Sequence, residues 1–201
     1  MLDPAPGVAL ARGGAPPLLV VEGLSVFFPV PGKRWFSRSV PQVHAVENVS
    51  FALDRGRTLG IVGESGSGKT TTGRAVMLQV KPTRGRIHYS GMDITNVEGE
   101  ELRRMRRYMQ LVFQDPYASL NSRMTVLDIV AEPLIVHGYA RRPRDVRDRV
   151  VELMELVGLP ADAVDRYPHA FSGGQRQRIG IARALAVSPE FIVADEPVSA
   201  L

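Results

Sequence analysis

The glycine-rich stretch at residues 63–70, which reads GESGSGKT, constrains this chain more than any other feature. It follows the apolar run 58–62, expected to be a strand, and precedes residues 71–80, whose helical character ends at Lys81-Pro82. Glycines let the backbone pass close to phosphate oxygens, so successive N–H groups and the start of a helix face the anion. A strand, a glycine-rich turn and a helix in this order predict a phosphate-binding loop in an α/β fold.

The residue types of this loop suit separate tasks in binding a nucleotide. The Lys69 ammonium is expected to bind the β- and γ-phosphates, and the Thr70 hydroxyl is expected to coordinate Mg²⁺. The residues predicted to bind the nucleotide are Gly63, Ser65, Gly66, Ser67, Gly68, Lys69, Thr70 and Thr71.

A second candidate group ends the apolar run 191–194, which is followed by Asp195 and Glu196. We expect this run to be a buried parallel strand, and open α/β sheets bind ligands at the carboxyl ends of such strands. Asp195 is then expected to bind Mg²⁺, and Glu196 to orient or deprotonate an attacking water. An apolar run that ends in Asp-Glu is common, so this assignment depends on the phosphate loop.

The sequence FSGGQ at residues 171–175 forms a third group, and Ser172 is predicted to cap a helix from about residue 175 to 187. A serine and two glycines at a helix start make a second anion cradle. Because helices intervene between the two cradles, the second is expected to face the nucleotide of another subunit. For an isolated SGGQ, the alternative is an ordinary helix cap after flexible glycines.

The order of these three groups resembles the order of motifs in a known protein family. FSGGQ resembles the LSGGQ signature of ATP-binding cassette (ABC) ATPases, with Phe171 in place of leucine, and the helix that follows matches as well. The resemblance covers residues 18–201. It implies that a partner subunit's ATP is contacted by Ser172, Gly173, Gly174 and Gln175.

Two further positions match the family. Gln114, after the apolar run 111–113, matches the glutamine that contacts Mg²⁺ and water; without the resemblance it is an ordinary loop residue. Phe28 matches the aromatic residue that stacks on adenine, and the alternative is a core aromatic residue shared with Phe27. The resemblance thus implies ATP and Mg²⁺ as cofactors, with Glu196, Lys69 and Gln114 as catalytic residues and Thr70, Gln114 and Asp195 as metal ligands.

Other segments narrow the resemblance to the oligopeptide and dipeptide permease branch, namely residues 32–36, 113–121, 166–169 and 195–201. Gln175 and Val198 favour the second of its two ATPase subunits, whereas Ser122 departs from the proline usual there. The implied function is that of an enzyme which binds and hydrolyses ATP to energise import of oligopeptides or dipeptides. The branch also transports glutathione and nickel, and the sequence does not select among these substrates.

The implied fold class is α/β, with a P-loop NTPase core of the ABC type, an N-terminal antiparallel β subdomain and an inserted α-helical subdomain at about residues 115–165. Residues 1–17 are predicted to be a disordered tail and 18–201 a partial ABC domain. ABC ATPases carry a further strand with a γ-phosphate-contacting histidine after the acidic pair. We therefore expect a fold incomplete at the C-terminus, with marginal stability and little ATP hydrolysis by the chain alone.

Composition excludes several classes of protein. The chain has no cysteine and no apolar run of about eighteen residues, which argues against a disulfide framework, a thiolate metal site and a membrane span. Its net charge of +4 comes largely from arginine, including runs at 103–107 and 141–149. No aromatic residues interleave with these runs, so we interpret them as solvated helix faces and expect no nucleic-acid partner.

The resemblance also implies partners and a location. They are a sister ATPase subunit, identical or distinct, integral membrane permease subunits and, indirectly, an extracytoplasmic substrate-binding protein. The chain is then expected to be peripheral at the cytoplasmic face of the cell membrane. Two other hypotheses are a soluble ABC ATPase of DNA repair or translation and a non-catalytic truncated fragment. The soluble class usually has zinc-binding cysteines, coiled-coil insertions or tandem cassettes, none of which this sequence shows.

Overall fold

The protein is represented by a computed structural model that describes residues 16–30 and 41–196. The chain divides into two compact units, Met1–Val97 and Glu98–Leu201, and each is described by itself. The predictions for the tail up to residue 15, for the segment 32–36 and for residues 197–201 lie outside the described residues.

The first unit is built around an antiparallel sheet with the strand order β2-β1-β3-β4. Its strands are β1 (Leu19–Pro29), β2 (Gln42–Leu53), β3 (Arg84–Tyr89) and the short β4 (Met92–Asp93). The apolar runs 18–28 and 43–53 predict two antiparallel strands, and their pairing as β1 and β2 is confirmed. The core of this unit includes the fully buried side chains of Leu19, Val21, Leu24 and Ile87.

Helix α1 (Lys69–Val76) follows the glycine-rich loop, as predicted, but it ends before residue 80. Leu78 has φ +53°, and Gln79 N donates to Arg74 O at 2.9 Å across the end of the helix. A left-handed residue with this backbone bond terminates a helix, here with leucine in the position that glycine usually occupies. The prediction of helical structure as far as residue 80 was wrong for this reason.

The strand predicted at residues 58–62 does not form. Leu59, Ile61 and Val62 are 44%, 46% and 96% exposed. A strand exists only when neighbouring strands satisfy its N–H and C=O groups, and none of the strands in the described residues pairs with this run. Apolar composition alone was therefore a misleading indicator here.

The second unit contains a two-stranded parallel sheet of β5 (Met109–Val112) and β6 (Phe191–Ala194). The parallel strand predicted at residues 191–194 is confirmed, but Ile192 is 39% exposed and Ala194 is also exposed. Within the described residues β6 has β5 as its one ladder neighbour, so the predicted burial is wrong.

Helices make up the rest of this unit. They are α2 (Gly99–Met105), α3 (Pro116–Ser119), α4 (Val126–Val136), α5 (Arg147–Leu156) and α6 (Gly173–Leu185), with 3₁₀ turns at Pro143–Val146, Ala161–Asp165 and Pro168–Ala170. The apolar spacing of residues 125–157 predicts helices, and they are confirmed as α4 and α5. Together with α6 they enclose a core that includes Ile129, Leu153, Met154 and Ile179. No helix within the described residues is both long and apolar enough to cross a membrane.

Candidate nucleotide-binding site

The predicted phosphate loop lies in the first unit, between residue 62 and the start of α1. Gly66 and Gly68 have φ values of +82° and +91°, which L side chains rarely adopt. The Lys69 Nζ donates to Gly63 O and Glu64 O, both at 2.8 Å. The lysine side chain therefore folds back over the backbone of the loop, at the amino end of α1.

A β-bulge in the neighbouring strand fits against this loop. Val26 pairs with Val46 and the next residue, Phe27, pairs with His44, so Ala45 is an extra residue on β2. A Cβ placed on Gly68 would lie 2.2 Å from Ala45 O. Glycine at position 68 is thus required by its positive φ and by the closeness of the bulged strand.

Phe28 lies near the end of β1 and is 40% exposed. Its cross-strand partner Val43 is also exposed, whereas Phe27 is half-buried and stacks on His44 with ring centroids 4.0 Å apart. Successive residues of a strand face opposite sides of a sheet. The Phe28 ring therefore lies at the surface rather than in a shared core with Phe27, which is compatible with its predicted role.

The second unit brings two predicted catalytic residues together. Gln114 and Glu196 follow β5 and β6, and Gln114 Nε2 donates to Glu196 Oε2 at 2.5 Å. Asp195 N donates to Val112 O at 3.1 Å and so extends the ladder to the acidic pair. Glu196 has φ +45°, an uncommon backbone conformation for a residue other than glycine. Parallel strands with their carboxyl ends at one edge create this pairing.

The FSGGQ segment forms the predicted cap of α6. The Ser172 Oγ accepts from Gln175 N at 3.3 Å, and Gln175 Oε1 accepts from Ser172 N at 2.9 Å. This capping box starts the helix at Gly173, earlier than the predicted start at about residue 175. Phe171 is buried, so it anchors the turn to the core as an apolar side chain.

The residues predicted to bind Mg²⁺ supply oxygen ligands, a hydroxyl, an amide and a carboxylate, which is the chemistry this ion prefers. Thr70 belongs to the first unit, and Gln114 and Asp195 belong to the second. Throughout the described part of the chain, no cluster of three His, Cys, Asp or Glu side chains has the arrangement of a metal site.

Sequence reasoning missed α3 and the contacts of α6 with the segment around it. The Asp115 Oδ1 caps α3 by accepting from Tyr117 N at 2.7 Å and Ala118 N at 3.2 Å. Asp followed by Pro116 at the first helical position is a recognised start signal that could have found this helix. The contacts of Gln177 and Arg183 with backbone carbonyls could not be found in this way, since they depend on packing between distant segments.

The family model described as ABC transporter matches residues 46–199. The chain belongs to the ABC transporter family. The match includes the phosphate loop, Gln114, the FSGGQ turn and the acidic pair, all of which had been identified from the sequence.

Among characterised ABC transporter proteins, the chain is 52% identical over 186 residues to the oligopeptide transport ATP-binding protein AppF of Bacillus subtilis (strain 168), covering 92% of this chain and 56% of AppF. It is 55% identical over 160 residues to the oligopeptide transport ATP-binding protein OppF of Streptococcus mutans, covering 80% of this chain and 52% of OppF. The chain thus spans about half the length of these relatives.

Solved ABC structures resemble this fold. The dimeric cassette MJ0796 has a TM-score of 0.79 at 30% identity, and the match covers 91% of this chain and 75% of that one. A post-hydrolysis dimer of MJ0796 bound to ADP and Pi has a TM-score of 0.78 at the same identity and coverage. These matches support the predicted ABC ATPase fold class.

Proposed function

We propose that this chain is the ATP-binding and ATP-hydrolysing part of a subunit that energises an importer of oligopeptides or dipeptides. The observation that carries the proposal is the loop at residues 63–70, with Lys69 folded over it at the start of α1, in a member of the ABC transporter family. The peptide substrate is inferred from the relatives AppF and OppF, which are named for oligopeptide transport.

In this proposal the first unit binds the nucleotide. The loop N–H groups and Lys69 bind the phosphates, and the exposed Phe28 ring stacks on adenine. The Lys69 Nζ, which now bonds two carbonyl groups of the loop, exchanges those partners for phosphate oxygens. The charged acceptors then form the stronger hydrogen bonds.

The second unit supplies the groups for hydrolysis. Glu196 orients the attacking water and takes its proton, and the Gln114 amide holds the Glu196 carboxylate in place. Thr70, Gln114 and Asp195 are the proposed ligands of Mg²⁺, which neutralises charge on the β- and γ-phosphates when bound. All three residues offer the oxygen atoms that such an ion requires.

We further propose that residues 172–175 contact the ATP bound by a sister ATPase subunit, identical or distinct. The N-cap bond uses a lone pair of the Ser172 hydroxyl and does not use its hydrogen, so this side chain can cap α6 and donate to a phosphate together. Permease subunits in the membrane and, indirectly, an extracytoplasmic substrate-binding protein complete the importer, with this chain at the cytoplasmic face.

The test is ATP hydrolysis and peptide uptake by the assembled importer in proteoliposomes. Lys69→Ala is expected to abolish both activities, because the phosphates lose their cationic ligand. Lys81→Ala changes an exposed lysine of the same unit outside the loop and is the matched control, with both activities retained. A wild-type importer that hydrolyses ATP yet moves glutathione or nickel rather than peptides would refute the peptide substrate alone.

A further inference from the structure

Helix α6 bonds to the segment that carries Gln114 at two points. This Gln114 segment is residues 113–119, and it includes the short helix α3. Gln177 Nε2 donates to Phe113 O at 3.4 Å, and Arg183 Nη1 donates to Ser119 O at 2.7 Å. The two accepting carbonyls lie on either side of Gln114, and the two donors are about 9 Å apart along the helix axis. The segment is therefore fixed near both of its ends to one rigid element.

Aromatic contacts reinforce these bonds. The Arg183 guanidinium lies over the Phe113 ring, 6.0 Å from its centroid, and the Arg176 guanidinium lies 4.4 Å from the centroid of Tyr117. A Cβ on Gly173, at the first turn of α6, would lie 3.3 Å from Tyr117 Oη. The Gln114 segment thus follows α6 from its first turn, next to Ser172, as far as position 183.

The identity of residue 183 is not explained by stability. The side chain is half-buried, and burial lowers the pKa of its guanidinium, with Glu132 acting in the opposite direction. Replacing a buried cation by an apolar side chain of similar size is often neutral or stabilising. The guanidinium instead fixes the position of the backbone carbonyl that it bonds, because its N–H groups point in set directions within one plane.

The burial of Gln177 also indicates a role in positioning rather than in stability. It is 3% exposed, and it is one of the few polar side chains buried in the described part of the chain. Its bond to Phe113 O is formed across 64 positions of sequence. A buried polar side chain with one such bond adds little to the free energy of unfolding. Its main effect is to fix how the two bonded segments pack against each other.

We propose that Gln177 and Arg183 are positioning residues that make Gln114 and the Ser172 turn move as one body. The inference rests on the proposed function, in which both groups contact ATP or its water. Displacement of α6 when Ser172 meets a nucleotide is then transmitted through the two carbonyl bonds to Gln114. Because Gln114 bonds Glu196, a displacement of the Ser172 turn is passed on to the water-activating carboxylate.

The experiment uses the assembled importer with Arg183→Met and Gln177→Met, which keep side-chain size and remove the donors. We expect kcat for ATP hydrolysis to fall about 10- to 100-fold, the size of effect that follows from misplacing a reacting group by about 1 Å. The KM for ATP should change less than about twofold, because Phe28 and the phosphate loop are untouched. The thermal midpoint of Arg183→Met should stay the same or rise, because a partly buried charge is removed.

Arg178→Met is the matched control. Arg178 lies on the same helix and its Nη1 also donates to a carbonyl, Val157 O at 3.4 Å, but it makes no such bond to the Gln114 segment. This variant should keep wild-type kcat. Arg183→Lys retains a cationic donor and should recover part of the lost rate. Backbone hydrogen exchange at residues 113–119 should accelerate in Arg183→Met and stay unchanged in Arg178→Met.

The outcomes separate three cases. An active wild-type importer whose Arg183→Met and Gln177→Met variants keep kcat overturns the positioning role. A loss of kcat that merely follows a lower thermal midpoint also overturns it and assigns the residues to stability. A wild-type importer that does not hydrolyse ATP overturns the proposed function, and the coupling with it.

Discussion

Gln114 Nε2 donates a hydrogen bond to Glu196 Oε2 at 2.5 Å, across 82 positions of sequence. The pairing exists because β5 and β6 are parallel neighbours, with Val112 opposite Ala194 in the last pair of the ladder. The two loops that leave these strands begin at the same edge of the sheet. An amide donor thus orients the carboxylate that we propose to activate water.

Glu196→Gln should remove hydrolysis and leave nucleotide binding intact. The glutamine retains an oxygen that accepts from Gln114 but cannot take a proton, so the local structure is kept. General-base catalysis contributes about 100- to 10,000-fold, and we expect a loss of this size in phosphate release. The control is Glu155→Gln, an exposed carboxylate on α5, which should retain wild-type turnover. Equal turnover by the two variants would exclude Glu196 as the base.

Gly68→Ala should destabilise the first unit by at least about 2 kcal/mol. The left-handed backbone alone costs an alanine about 1–2 kcal/mol, and the added methyl group would lie 2.2 Å from Ala45 O. Chemical denaturation gives the free energy of unfolding. Gly60→Ala is the matched control, since Gly60 has nothing within 4 Å of an added Cβ and no positive φ. A Gly68→Ala protein as stable as this control would contradict the close approach of the bulge.

Substitutions of Ser172 should distinguish its role as the N-cap of α6 from its proposed contact with a phosphate. Ser172→Ala loses the side-chain bond to Gln175 N and should cost about 1 kcal/mol of stability. Ser172→Asp retains a cap but brings a negative charge and no donor to the anion cradle. Its stability should therefore stay close to wild type while ATP-dependent association with the sister subunit is lost.

The measurements for Ser172 are thermal unfolding and ATP-induced dimer formation by light scattering. Thr125→Ala is a control for the cap alone, because Thr125 forms the equivalent capping box with Asp128 at the start of α4. It should lower stability to a similar extent without a selective loss of association. Normal association of Ser172→Asp would contradict a phosphate contact at this turn.

Acid should destabilise the second unit through His137, the half-buried C-cap residue of α4. Burial lowers the pKa of its imidazole, and the positive charges of Arg103 and Arg107 lower it further. As pH falls through about 6.5, the unfolded chain binds a proton that the folded chain resists, so the free energy of unfolding decreases. Stability is retained above that pH and levels off again below the folded pKa.

His137→Asn is the test of this pH dependence. Asparagine suits the end of a helix and does not titrate, so the difference in denaturation midpoint between pH 7.5 and pH 5.5 should shrink. His169→Asn changes an exposed histidine and should leave the wild-type difference intact. A pH dependence unaltered by His137→Asn would assign the acid sensitivity to other groups.

Local patterns in the sequence were sufficient to predict structure wherever the residues of one short segment stabilise that segment. The Ser172 cap and the loop at residues 63–70 before a helix depend on neighbouring residues and turn chemistry. Their residue types carry the physical cause within a few positions. The position of Gln114 and Glu196 at strand ends was predictable for the same reason.

By itself, the sequence determined the family and the glycine-rich loop before a helix, and it predicted the site residues that we propose for the chemistry, because each is encoded by residue types at short spacing. Tertiary structure alone decided which carbonyls Gln177 and Arg183 bond, where the Ala45 bulge meets Gly68 and that residues 58–62 form no strand. The physical reason is that ladders, close backbone approaches and buried polar bonds need partners from distant parts of the chain. Such partners are defined only once the segments have packed.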